Sequence, residues 1–512
     1  MTTSDKGESC DENTQLASRQ LNAPLKVTAN LIRLERDGRL LLLNSLQPRP
    51  LLFRRGREFV SALLASCGPG LLCRDELVAL WPEETAVIDF LISHHILVDT
   101  TESELAPPAA KPSAEELMAP APGMSLYLLL SQDCNLGCIY CLNGKRTYRK
   151  SEQPMMPEAV AFAAVERCAA RIKPGGFLEI AMFGGEPLLN WDLAKRTIDY
   201  AEAVLKPRHP DIEFRYHVTS NLSFLPEDFI ARVKAHGITV LCDIDGVGDV
   251  HDACRPYKGG AGSHAAIAAN VKTLTEAGIP VCLRTTITAL NQDQMAETAR
   301  HHFALGGNGT AFVPVNVVNS DEDLLPDELI PDVDRLLDSL LDVQATGDWA
   351  LERLFPFSTF RSKIQPGNYC VLGCGAPFGN TPVVDVNGDV YPCIYLVGIK
   401  RYNQGNVLSG SYPDPAVALR LVEELHVDQR PDCKGCSWRY LCGGGCPVQM
   451  LAMAGRSDLS PKAQDYCERI NCEYTKKVLE VLLWEYAEQA ERLADGCETA
   501  PERCSGPEAK YC

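Results

Sequence analysis

Cys134, Cys138 and Cys141 stand in a C-x3-C-x2-C run, Asp-Cys-Asn-Leu-Gly-Cys-Ile-Tyr-Cys. Three thiolates at this spacing suit an iron–sulfur cube, in which each iron takes one ligand from outside the cluster. Three ligands leave one iron open, and an open iron beside a pocket can bind and cleave a cofactor. A zinc knuckle or scattered buried thiols are the competing readings. Further along, Gly184, Gly185, Glu186 and Pro187 follow an apolar run. Paired glycines let the backbone approach a ligand, and a carboxylate beside them can accept hydrogen bonds from an ammonium. Ser220 and Asn221 offer a small hydroxyl and an amide. Asp243 and Asp245 are candidate proton acceptors facing a substrate, with a loop or helix-cap role as the alternative. Arg255 carries a fork suited to a carboxylate, and Arg284 either faces the same pocket or snorkels away from it.

A second group of cysteines occupies the C-terminal third: Cys370, Cys374, Cys393, Cys433, Cys436, Cys442 and Cys446, with Cys467 and Cys472 beyond. Four thiolates per cube would let seven of these, plus one of the last two, ligate two closed clusters. Four-thiolate zinc sites share such spacings and remain the alternative. Cys67, Cys73, Cys168, Cys242, Cys254 and Cys282 are isolated in helix- or strand-like patterns and read as small buried hydrophobes. Cys497, Cys504 and Cys512 lie in a polar tail and are assigned no metal.

The elements that must hold these residues alternate regularly. Strand patterns fall at 126–130, 177–183, 213–219, 238–244, 281–286 and 311–315. Helical patterns fall at 157–171, 192–205, 226–236, 263–277 and 294–305, with Gly237 and Gly278 just past two helix ends, where a left-handed cap strains glycine least. Six β–α units predict an α/β fold, a parallel sheet with right-handed crossovers forming a partial (β/α)6 barrel. In such barrels chemistry collects at the C-terminal strand ends, where the residues above fall. Before the barrel, 31–34 and 39–44 read as a hairpin around Asp37-Gly38, followed by helices at 57–65, 74–81 and 86–98. The expected organisation is a disordered tail (1–27), a winged-helix-like unit (28–105), a linker (106–123) and the barrel (124–345). A cysteine-rich region (346–475) and a closing helix with a cysteine-containing tail (476–512) complete it.

Bulk composition excludes several functions. A chain of 512 residues with 46% hydrophobic and 23% charged residues holds several globular domains. A net charge of −18 opposes nucleic-acid binding. No apolar run approaches the roughly 20 residues of a membrane span, and the first residues lack a signal-peptide layout. A cytoplasmic protein is expected, and its 22 cysteines are better explained by metal than by disulfides.

The C-x3-C-x2-C loop after the first strand and Gly-Gly-Glu-Pro after the second together resemble the radical S-adenosylmethionine (SAM) superfamily. The resemblance implies that the open iron chelates SAM and that its reductive cleavage yields a 5′-deoxyadenosyl radical. It matches Tyr140 to the family's aromatic, Glu186 to the motif holding the SAM amino group, and Arg255 to a SAM contact. Asp243 stands where the family has Ser. The later cysteines resemble a SPASM domain, which implies Cys370, Cys374, Cys393 and Cys446 on one auxiliary [4Fe–4S] cluster. Cys433, Cys436, Cys442 and a late cysteine would hold the other. Cys472-Glu-Tyr-Thr-Lys476 resembles the usual C-E-x-x-K ending, Cys467 has the closer spacing, and the choice stays open. The front unit resembles PqqD-like leader-binding domains. Together these imply a maturase of a ribosomally made precursor peptide, forming a thioether or other cross-link, with flavodoxin or ferredoxin as reductant. An anaerobic sulfatase-maturating enzyme is the rival. That group has Asp after the Cys of its G-x4-C element, whereas Ile394 and Tyr395 follow Cys393 here. A non-catalytic iron–sulfur electron carrier is a further alternative.

Overall fold

A computed structural model describes residues 23–67, 72–100, 112–141, 154–317, 324–347, 350–365, 368–453 and 456–497. The expectations for residues 1–22 and 101–111, and for Cys504 and Cys512, lie outside the described residues.

The front unit begins with β1 (Leu25–Val27) and a three-stranded antiparallel sheet of β2 (Leu31–Arg36), β3 (Arg39–Asn44) and β4 (Gln47–Phe53). Asp37 and Gly38 both take positive φ, 51° and 75°, the primed-turn geometry that closes a tight hairpin. Helices α1 (Arg57–Cys67), α2 (Arg74–Leu80) and α3 (Thr85–Ser93) follow. The third helix was expected to run through 98. Instead His95 turns left-handed (φ 52°), and β5 (Leu97–Asp99) pairs antiparallel with β1. The unbroken leucine run of β3 has two buried faces: Leu40 and Leu42 pack on the helices, while Leu41 and Leu43 pack with the C-terminal helix.

The expected linker is partly structured. Ser113 caps α4 (Ala114–Met118) through a reciprocal bond with Glu116, and β6 (Ala121–Ser131) begins well before residue 124. Gly123 is needed in this early stretch because a Cβ there would meet the Phe177 ring at 2.1 Å.

β6, β7 (Ile172–Gly184), β8 (Glu213–Ser220), β9 (Thr239–Asp243), β10 (Val281–Ile287) and β11 (Gly309–Pro314) lie side by side in chain order. Every neighbouring pair is parallel, as six β–α units dictate. Helices α5 (Glu158–Ala169), α6 (Trp191–Tyr200), α7 (Phe229–His236), α8 (Asp249–Cys254), α9 (His264–Glu276) and α10 (Met295–Ala304) run between them. α6 continues through a wider-wound turn at Ala201–Leu205. Gly237 and Gly278 have φ of 61° and 78°, the predicted left-handed caps. The core between strands and helices is aliphatic, with Leu126, Leu128, Ile180, Val218 and Val240 among its members.

After α11 (Val333–Thr346), β12 (Leu354–Phe355) adds to β11. At the opposite edge β13 (Val383–Val384) pairs parallel with β6 and turns back into β14 (Val390–Tyr391). That short hairpin carries Cys393 toward the open end of the barrel. α12 (Pro415–Leu425) and the 37-residue α13 (Pro461–Cys497) complete the chain. Tyr466 and Tyr474 of α13 donate hydroxyl hydrogen bonds to the carbonyls of Val315 (2.9 Å) and Phe312 (2.6 Å), fastening this helix to β11. No helix among the described residues is long and apolar enough to cross a membrane.

Candidate functional site

A cavity opens at the C-terminal ends of β6–β11. Its wall includes Cys134, Cys138 and Cys141 from the loop after β6, Gly184 and Gly185 from the end of β7, and Ser220 and Asn221 from the end of β8. Asp243, Arg255 and Arg284 line it deeper down, and Ile394 and Tyr395 close it from the C-terminal region.

The cysteine loop is strapped to the segment after α8. Gly137 N–H donates to Pro256 O at 2.7 Å and Ile139 N–H to Cys254 O at 3.1 Å. Asn221 Nδ2 donates to Asn135 Oδ1 at 2.9 Å and approaches Cys134 Sγ at 3.6 Å, so the end of β8 also holds the loop. Burial, aided by neighbouring cysteines, raises all these thiols that show a shift: Cys134 is pushed to about 11 and Cys138 goes well above its ordinary value. Thiols so placed stay protonated until a metal supplies the charge that ionises them. The donor set therefore fits a cluster held by three thiolates on the wall of one cavity.

Glu186 is turned away from that wall. It is wholly buried and accepts three hydrogen bonds, from Leu188 N (2.9 Å), Ser220 Oγ (2.8 Å) and Asn221 N (2.8 Å). Burial pushes its carboxyl up to about 7 against the pull of those donors. Its carboxylate brackets the ends of β7 and β8, while Gly184 and Gly185 present backbone to the cavity. Gly184 sits at φ 127°, and a Cβ there would lie 2.3 Å from Ser131 O. Pro187 is buried in the turn that follows.

The two aspartates differ. Asp245 is fully buried and accepts from Tyr140 Oη, Arg255 Nε (2.8 Å) and Thr286 N (2.9 Å). Burial raises its carboxyl although Arg255 pulls it down. With three donors and no cavity surface, it organises Arg255 and Tyr140 rather than meeting a substrate. Asp243 does line the cavity, but as an ion-paired group: Arg284 grips it at 2.6 and 3.0 Å and Arg255 Nη1 lies 3.3 Å away. Burial raises its carboxyl, yet Arg255 and then Arg284 outweigh that and hold it below the usual range. Neither carboxylate is placed as a free proton acceptor. Arg284 faces the pocket, and Arg255 stacks over Tyr140 at 5.4 Å and reaches within 4.0 Å of Cys138 Sγ.

The later cysteines influence one another in two overlapping sets, joined where Cys442 feels both Cys472 and Cys370. Burial raises Cys393, helped by Cys446 and Cys374, and Cys374 in turn feels Cys370. Cys433 feels Cys442 and Cys472, and Cys472 feels Cys436. Cys467 is buried in the apolar cluster with Tyr466, Ile470 and Tyr474, which also includes Cys442. Five residues along a helix turn the side chain by about 140°, so Cys467 and Cys472 point to different sides of the helix, and it is Cys472 that Cys433 and Cys442 feel. Of the isolated cysteines, Cys67, Cys168, Cys242 and Cys254 are buried as expected, whereas Cys73 and Cys282 are partly exposed. Cys73 precedes α2 as its cap, its N–H donating to Glu76 Oε2 at 2.8 Å.

Sequence reasoning missed Asn135, Thr286 and Asn291. Thr286 N–H holds Asp245, and Asn291 Nδ2 donates to Asp245 O at 2.9 Å. Asn135 is a variable position inside the cysteine run, and Thr286 and Asn291 belong to no motif; all three acquire their role only when another strand end or loop is brought beside them.

Residues 128–302 match the radical SAM superfamily. A cysteine-type anaerobic sulfatase-maturating enzyme of Clostridium novyi (strain NT) is 24% identical over 341 residues, 63% of this chain and 88% of that protein. A PqqA peptide cyclase of Granulibacter bethesdensis is 25% identical over 363 residues, 67% of this chain and 87% of that one. The solved structure of native anSMEcpe with bound AdoMet and Cp18Cys peptide shares the fold, with a TM-score of 0.54 at 18% identity, covering 70% of this chain and 99% of that one.

Proposed function

We propose that this radical SAM enzyme, whose cofactors are a [4Fe–4S] cluster and SAM, modifies a ribosomally made precursor peptide, forming a thioether or other cross-link. Cys134, Cys138 and Cys141 would hold the cluster, and when bound the cluster and SAM supply the radical that removes hydrogen from an unactivated C–H bond. The chain's own residues provide the setting. Gly184 and Gly185 offer backbone to the SAM amino group, and Ser220 and Asn221 stand beside it. Arg255 offers a guanidinium edge to the carboxylate, held in place by Asp245 and Tyr140. Cys370, Cys374, Cys393 and Cys446 are the ligands proposed for one auxiliary cluster, and Cys433, Cys436, Cys442 and Cys472 for the other, in the manner of a SPASM domain.

The observation that carries the peptide reading is the cavity's far wall. Ile394 and Tyr395 occupy it directly after Cys393, where the sulfatase-maturating pattern has an aspartate base. Arg284 and Asp243 line the same cavity and satisfy one another, so beside Ile394 and Tyr395 a substrate meets no free carboxylate among the described lining residues. The front unit supports the same reading. β2 is an outer strand of its sheet, available to pair with an extended leader segment, in the manner of PqqD-like domains. Flavodoxin or ferredoxin is the proposed reductant and the cytoplasm the proposed location.

The test is anaerobic reduction of the reconstituted enzyme with SAM and a precursor peptide encoded beside it. Production of 5′-deoxyadenosine with a changed peptide mass supports the proposal. A sulfatase peptide converted to formylglycine while the precursor stays unmodified would replace it with the rival. No 5′-deoxyadenosine from protein with intact clusters would leave an electron carrier.

A further inference from the structure

Lys363 lies outside every cysteine motif, in a one-turn segment, Arg361–Ile364, before the C-terminal cysteines. Its ammonium is fixed by three contacts. Nζ donates to Cys442 O at 2.7 Å, approaches Cys370 Sγ at 3.6 Å, and lies 5.3 Å from the centre of the Phe360 ring. Cys370 belongs to one proposed ligand set and Cys442 to the other. The two touch here: a Cβ on Gly443 would fall 2.4 Å from Cys370 Sγ. The same ammonium pulls down the thiols of Cys374 and Cys442, which burial pushes up. Among the described residues no carboxylate pairs with Lys363. Two residues earlier, Arg361 pairs with Glu352 and Glu485. A half-buried cation without an acidic partner is costly unless anionic sulfur supplies the counter-charge.

We infer that Lys363 is a positioning residue for electron flow: a fixed positive charge that raises the reduction potential of the auxiliary centre containing Cys370. This rests on the proposed reading of the two thiol sets as cluster ligands. A reduced cluster carries one more negative charge than an oxidised one. A cation beside its ligand and hydrogen bonds to its sulfur therefore favour the reduced form. In the thioether formation proposed above, the carbon radical left by hydrogen removal joins a peptide sulfur whose S–H bond gives up its proton to solvent, and one electron is left over. An auxiliary cluster can take that electron by passing from its oxidised to its reduced state, and Lys363 makes the Cys370 centre the better acceptor.

The experiment is a redox titration followed by electron paramagnetic resonance on the full reconstituted chain, wild type beside Lys363→Met, Lys363→Gln and Lys363→Arg. In the neutral variants the midpoint of one auxiliary centre should fall by the equivalent of a tenfold change in its electron-sharing equilibrium, about 59 mV for one electron. The Arg variant should restore most of it, and the SAM-binding centre should not move. Unchanged auxiliary midpoints at full iron content overturn the inference. So does loss of auxiliary iron in Lys363→Arg as well as in both neutral variants, since Lys363 would then hold the fold by its shape and not by its charge. Absence of auxiliary iron from the wild-type protein defeats the cluster reading itself, and is seen before any substitution is made.

Discussion

Arg284 and Asp243 face each other across adjacent strands and form a two-pronged ion pair, Nε to Oδ1 at 2.6 Å and Nη2 to Oδ2 at 3.0 Å. Their side chains are 25% and 11% exposed, and Arg255 shares the same carboxylate. Removing one member strands buried charge, which typically costs about 3–5 kcal/mol, whereas removing both can be nearly neutral. Asp243→Asn should therefore destabilise the protein by about that much. Asp243→Asn combined with Arg284→Met should recover most of the loss. Urea midpoints at matched iron content check this; equal losses in the single and double variants would mean that the pair is not coupled.

Glu186 binds its three donors unequally, two on Oε1 and one on Oε2. In Glu186→Gln the amide –NH2 must replace one oxygen and confront an N–H, leaving a buried donor unpaired at about 1–3 kcal/mol. Asn221 is then released, and with it the hold on Asn135 and Cys134. The expected result is weaker SAM binding and slower cluster reconstitution together. A variant that binds SAM as wild type does would reduce Glu186 to a structural bracket remote from the cofactor.

Cys472 and Cys467 allow a direct comparison. Cys472→Ser should lower iron content by up to one four-iron cluster, because it removes a ligand from the set with Cys433, Cys436 and Cys442. Cys467→Ser should retain its iron but lose about 1–3 kcal/mol by placing a hydroxyl in an apolar cluster. Iron assays and thermal melts distinguish them. The reverse pattern would return Cys467 to the ligand set.

The barrel was legible because each strand and helix announces itself locally. Apolar runs gave the six strands to within a few residues, and Gly237 and Gly278 marked helix ends by the conformation that only they hold cheaply. The candidate cysteines could be picked out because spacing is a local property. Side-chain direction was not. Glu186 reads in sequence as a cavity carboxylate, yet Ser220 and Asn221, 34 and 35 residues later, claim it. Asp245 is likewise saturated by Arg255 and Thr286. The helix expected through 98 stops because β1 offers β5 a partner some 70 residues away, a tertiary gain that helix periodicity does not register. Lys363 carries no motif, and its position between Cys370 and Cys442 exists only after folding.

His251 and His302 make the barrel sensitive to acid. His251 accepts from Asp245 N (3.2 Å) at Nδ1, and Nε2 donates to Ser263 Oγ (3.0 Å), whose hydroxyl donates to Arg255 O (2.6 Å). His302 stands between Thr310 Oγ1 (2.6 Å) and Ile244 O (3.0 Å). Burial lowers both rings to about 3, with Arg255 the next contributor for His251. In the unfolded chain each titrates near about 6.5. Between these values the unfolded state binds the extra protons, so stability is full above about pH 6.5 and falls as pH drops. The loss approaches about 1.4 kcal/mol per pH unit for each ring. Glu186, raised to about 7, acts in the opposite sense, losing its contribution as pH rises through that value. It is common to wild type and variant and cancels in their difference. His302→Gln keeps a donor and an acceptor but does not titrate here, and its stability should fall less steeply below pH 6.5 than that of wild type, by about one ring's share. Anaerobic urea unfolding across pH 5–7 at equal iron content measures the two slopes. Parallel slopes would show that His302 is already charged in the folded protein, and that the Thr310–His302–Ile244 chain does not hold it neutral.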